Sequence, residues 1–116
     1  MRPTLLALLV GASATAAAGQ VRDGTGNVYP TVAIADYVLG CMAANGNTHE
    51  ALRDCSCSID VISTILPYDK YEAAEAYMSL GRITGERGVL FRESEQSKEA
   101  TSALRRAQIE AELRCF

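Results

Sequence analysis

The chain has 116 residues, of which 11 are basic and 14 acidic, for a formal net charge of −3 with 48% hydrophobic residues. That acidic balance argues against a nucleic-acid surface, whose footprint is a basic patch. The length bounds a single small domain, which buries only about two thirds of its unfolded surface and keeps a thin stability margin.

Residues 1–19 read as a secretory signal: Met1 and Arg2 supply a positive start, residues 5–10 an apolar stretch, and residues 12–19 a run of small side chains. Cleavage after Ala18 or Gly19 satisfies the small-x-small rule, with Gln20 the preferred mature start. The apolar stretch is too short to span a bilayer, which takes roughly 20 apolar residues, and no second candidate follows. No stable membrane insertion is expected, and a periplasmic location is. Removal of the signal takes one basic residue, Arg2, leaving ten against fourteen acidic and a net charge of −4.

Residues 20–30 are rich in Gly, Asp, Asn and Thr and read as a flexible or extended leader. Residues 31–116 are expected to form the folded domain. Thr31 offers an N-cap, and Ile34, Val38, Cys41 and Met42 have the spacing of a buried helical face over residues 32–45. Asn45-Gly46-Asn47 stops that helix. Thr48 caps the next, with Glu50 in its first turn; Leu52, Cys55, Ile59, Ile62 and Leu66 form an apolar stripe ended by Pro67.

Asp69 to Glu72 has the form of a capping box and opens a third helix to about Leu80, with Tyr71, Ala74, Tyr77 and Met78 inward. Gly81, Gly85 and Gly88 then break the pattern, so Arg82 to Phe91 reads as a loop, short strand or turn of helix pinned by Phe91. Ser94 caps a last helix to about Arg114, with Ala100, Leu104, Ala107, Ala111 and Cys115 in one row and Ile109, Leu113 and Phe116 beside it. The expected fold is all-α, a small four-helix domain.

Cys41, Cys55, Cys57 and Cys115 follow the export signal, and an even cysteine count in an oxidising compartment reads first as two disulfides. On a helix Cys55 and Cys57 project about 200° apart, so they seek different partners. A helical hairpin about Gly46 brings Cys41 to Cys55 most easily, leaving Cys57 for Cys115. The competing set is Cys41 with Cys57 and Cys55 with Cys115.

Few residues point to chemistry. Met42, His49 and the cysteines compose a soft-metal, copper-binding alternative, but zinc-type sites show two close-spaced ligand pairs, and Cys41 and Cys115 stand alone. The Cys-x-x-Cys of thiol redox enzymes and the Cys-x-x-Cys-His of haem attachment are absent. Ser56 or Ser58 with His49, or Asp54 with Asp60, have only proximity in sequence. The chain is therefore read as non-enzymatic, with no cofactor. A small periplasmic chaperone is a further alternative, its carboxylates leaving room for a switch at low pH.

Arg82, Glu86, Arg87, Phe91 and Arg92 form the candidate partner-binding patch, since loops carry function more often than cores. The competing reading is a plain connector with Phe91 plugging the core. Tyr37, Tyr68, Tyr71 and Tyr77 read as core residues with hydroxyls at the rim, or as the lining of a groove between helices.

Taken together, Ala35-Asp36-Tyr37-Val38-Leu39-Gly40-Cys41-Met42, Cys55-Ser56-Cys57-Ser58-Ile59-Asp60, Gly85-Glu86-Arg87 with Phe91-Arg92, and Arg114-Cys115-Phe116 resemble a group of small four-cysteine periplasmic proteins associated with bacterial gene clusters for quinoprotein alcohol or methanol oxidation. The resemblance implies a periplasmic accessory role, docking to a dehydrogenase, its cytochrome or a substrate-binding partner. It carries over no catalytic residue.

Overall fold

The computed structural model describes residues 20–22 and 28–116; the expected signal at 1–19 lies outside the described residues. The domain is all-α and closed by two disulfides. Among the described residues it has five helices: α1 Thr31–Asn45, α2 His49–Ile65, α3 Tyr68–Gly81, α4 Glu86–Glu93 and α5 Glu95–Cys115. The fifth is α4, in the segment expected to be a loop, short strand or turn of helix. A short antiparallel pair precedes them, β1 Gln20–Arg22 with β2 Val28–Pro30, in the register Val21 opposite Tyr29.

The leader is thus packed at its C-terminal end. Tyr29 is 1% exposed and belongs to the core. Its hydroxyl donates to the Leu66 carbonyl at 2.7 Å, and its ring meets those of Tyr68 and Tyr71 at centroid distances of 5.1 Å each.

Local chemistry sets the helix ends. Thr48 caps α2, its hydroxyl accepting from the Ala51 amide at 3.0 Å, and Ser94 caps α5 through the Ser97 amide at 3.2 Å. Thr31 and Asp69, expected as caps, lie inside their helices, and Pro30 and Pro67 take the N-cap positions with no side-chain bond. Both prolines are extended, with ψ of 141° and 147°. Proline's locked φ suits that position, and its missing N–H costs nothing there. Gly46 closes α1 at φ 107°, a conformation that favours glycine.

The core gathers where α2, α3 and α5 meet. Ile59, Ile62, Leu66, Tyr71, Ala74, Leu104, Ala107 and Ala111 cluster with Tyr29. Burying each large aliphatic side chain contributes about 1.5–3 kcal/mol. The alanines of α5 leave room for the larger residues of α2 and α3. Leu52, expected in the α2 stripe, is 40% exposed, while its neighbour Ala51 in the same turn is buried: the first turn of α2 presents Ala51 inward and Leu52 to the rim. Ile109 and Leu113 are exposed on α5, and Phe116, just past its end, is 58% exposed at a hollow it lines with Tyr37 and Ser58.

Helix α1 packs chiefly on α2. It carries a single charge, Asp36, is apolar on every side and has no fully buried residue. The hairpin of α1 and α2 is closed by Cys41–Cys55 and the chain's end is tied to α2 by Cys57–Cys115, both with Cα atoms 5.8 Å apart. The preferred pairing is the one formed.

Candidate functional site

The site arises where α3 ends and α4 folds back on it. Arg82 terminates α3, and the turn into α4 passes through Gly85 at φ 87°, a backbone state that L side chains rarely adopt. Gly88, inside α4, is buried against the Ile83 carbonyl; a Cβ there would overlap that carbonyl. This close approach fixes α4 on the end of α3 and aims Arg92, one turn further along, back at Gly81.

The Arg92 stem lies over Gly81, where an added Cβ would come within 3.0 Å of its Cγ, and its Nη1 donates to the Gly81 carbonyl at 2.6 Å. A guanidinium at the last carbonyls of α3 meets the negative end of the helix dipole. Arg105 reaches the same place from α5, and Arg82 from the α3 terminus. Between them runs a groove of about 370 Å³, lined also by Met78, Tyr77, Ser97 and Thr101.

Among the described residues no carboxylate lines this groove. The ion pairs among the described residues are Lys98 with Glu93 and Arg114 with Glu110, so none engages Arg82, Arg92 or Arg105. Glu75, on another flank of α3, senses the charge of Arg82. Planar guanidinium groups present paired N–H donors that match a carboxylate or phosphate. The groove can therefore hold an anionic group.

Of the residues singled out from sequence, Arg82 and Arg92 meet in the groove. Glu86 and Arg87 are exposed on α4 and Phe91 is half-buried, and none of the three lines it. Arg105 was missed. Its signal is the polar row Ser97, Thr101, Arg105 at four-residue spacing, one face of α5 beside the apolar row.

His49 and Ser58 do not assemble as a hydrolytic pair. His49 lies in the first turn of α2, nine residues or about 13 Å along the axis from Ser58. The Ser58 hydroxyl is buried and bonded to Tyr37 Oη at 2.8 Å. All four cysteines are in disulfides, which removes the thiolates the soft-metal alternative needs, and no group of three or more His, Cys, Asp or Glu among the described residues is placed to hold a metal ion.

No family model, curated protein or solved structure matches the chain. The functional reading rests on the groove's own chemistry.

Proposed function

We propose that this protein is a non-enzymatic, exported binding module whose arginine groove receives an anionic group of a periplasmic protein partner. The observation behind this reading is the convergence of Arg82, Arg92 and Arg105 on one groove that holds no carboxylate, in a chain of net charge −3. Closed disulfides support an oxidising, extracytoplasmic setting. The resemblance to proteins of quinoprotein alcohol-oxidation clusters makes a dehydrogenase or its cytochrome the first partners to try. Rigid helices serve such a role well, since a preorganised surface loses little freedom on binding.

The test is capture from periplasmic extract without reductant, comparing the wild type with Arg82→Gln/Arg105→Gln. A defined partner retained by the wild type and lost by the variant supports the reading. Retention unchanged by the variant, or turnover of a small substrate by the isolated monomer, overturns it.

A small periplasmic chaperone is the second reading, favoured by apolar side chains left in solvent: Val32 is 76% exposed, Leu39 69% and Leu113 78%. It requires that the protein suppress aggregation of an acid-unfolded client, which the groove reading does not.

A further inference from the structure

A second cleft, independent of the arginine groove, opens on another flank of α3. Two adjoining hollows of about 360 and 350 Å³ run between α1, α3 and α5, and Asp36, Tyr71 and Glu75 line both. Tyr37 and Gln108 complete one hollow, Tyr68 and Glu72 the other. Neither is lined by a lysine or arginine.

Tyr71 distinguishes this cleft from an ordinary acidic surface. It is 6% exposed, and its ring packs in a three-ring cluster with Tyr29, at a centroid distance of 5.1 Å, and Tyr68, at 6.2 Å. Its hydroxyl makes no hydrogen bond to any described residue, yet no buried polar side-chain atom is sealed off without a partner. The hydroxyl must therefore open onto the cleft. A nearly buried tyrosine normally finds a partner for its O–H within the protein. This one presents an unused donor and acceptor to whatever enters.

The surrounding charge is only partly offset. Burial raises the Glu75 carboxyl above the ordinary carboxylate range; Arg82 pulls it back, and Asp36 across the cleft pushes it further up. Neither Glu75 nor Asp36 takes part in an ion pair among the described residues. The carboxylates are not clustered tightly enough to hold a metal ion. Two carboxylates, an unused hydroxyl and the Tyr68 ring instead match a larger organic cation that carries N–H donors, with an aromatic face for its charge.

We propose that the cleft between α1 and α3 binds an alkylammonium group, its N–H donors shared between Tyr71 Oη and the carboxylates of Asp36 and Glu75. A free amine or a lysine side chain of a polypeptide supplies the same chemistry.

The experiment is an NMR titration of the full oxidised chain with n-butylammonium, with acetyl-Gly-Lys-Gly-amide, and with uncharged butyramide as control. Both cations are expected to give saturable shifts at Asp36, Tyr71 and Glu75. Glu75→Gln should weaken binding roughly tenfold, a loss of about 1.4 kcal/mol. Tyr71→Phe, which removes no internal hydrogen bond, should fold normally and also bind less well. Tighter binding of the peptide would assign the source to polypeptide, and tighter binding of butylammonium to a free amine; both uphold the site. Absence of saturation with either cation, equal shifts with butyramide, or binding indifferent to both variants would overturn it. Arg105→Gln, which leaves Arg82 beside Glu75 in place, should retain ammonium binding, so the two sites fail separately.

Discussion

The Tyr29 hydroxyl donates to the Leu66 carbonyl at 2.7 Å, across 37 residues of sequence. Leu66 is the C-cap of α2, where carbonyls lack helical partners, and the bond satisfies one of them while tying the segment before α1 to the end of α2. Tyr29→Phe keeps the buried ring and removes the donor, leaving a carbonyl unpaired. The expected cost is about 1–2 kcal/mol, read as a lower midpoint of urea unfolding with an unchanged slope. An unaltered midpoint would show that the bond contributes nothing.

The two disulfides should differ in worth. Cys41–Cys55 spans a sequence separation of 14 and Cys57–Cys115 one of 58. Restriction of the unfolded chain then predicts about 3 kcal/mol for the first and about 4 for the second. Serine replacements made pair by pair, followed by thermal unfolding, should rank them in that order. Loss of both should leave the chain largely unfolded at room temperature, since the sum is comparable with a small domain's whole stability of about 5–15 kcal/mol.

Gly88→Ala tests how α4 is seated. The added methyl would overlap the Ile83 carbonyl, a backbone atom that cannot swing aside. A loss of about 2 kcal/mol or more is expected, with amide exchange in α4 rising well above that of α5. Protection of α4 equal to the wild type would contradict the packing described.

Glu75 gives a pH signature. Its folded-state pKa is raised, chiefly by burial, so the folded chain binds its proton more tightly than the unfolded chain does. The linkage slope is then negative: this carboxyl lowers stability as pH rises from the ordinary glutamate range, about 4.3, through its folded value. Glu75→Gln should therefore raise the melting temperature at neutral pH, and the gain should vanish near pH 4. A gain independent of pH would assign the effect to packing instead.

Much of the fold was legible in residue pattern. The 200° offset of Cys55 and Cys57 on one helix and the tight turn at Gly46 were enough to order the pairings, and Thr48 and Ser94 capped as their chemistry requires. Three features were hidden for physical reasons. Tyr29 is one aromatic among Gly, Asp, Asn and Thr, and nothing local reveals that its ring fills a long-range gap between Leu66, Tyr68 and Tyr71. Pro30 and Pro67 displaced the expected caps, since a fixed backbone angle serves as well as a side-chain oxygen. Gly88 read as a breaker, yet it sits within α4 because only a residue without Cβ lets that helix touch Ile83. With the segment left open between loop, short strand and turn of helix, Arg92 has no defined direction, and the meeting of Arg82, Arg92 and Arg105 cannot be foreseen.

The most direct measurement is calorimetric titration of the oxidised chain with a hexaglutamate peptide at low ionic strength, alongside Arg82→Gln/Arg105→Gln. Neither guanidinium makes an internal ion pair, so the variant should fold as the wild type does. Expected is saturable one-to-one binding that weakens at physiological salt, where screening acts over about 8 Å, and that falls at least roughly tenfold in the variant. No binding, or binding of equal strength to both proteins, would contradict the assignment of the arginine groove as an anion-receiving site.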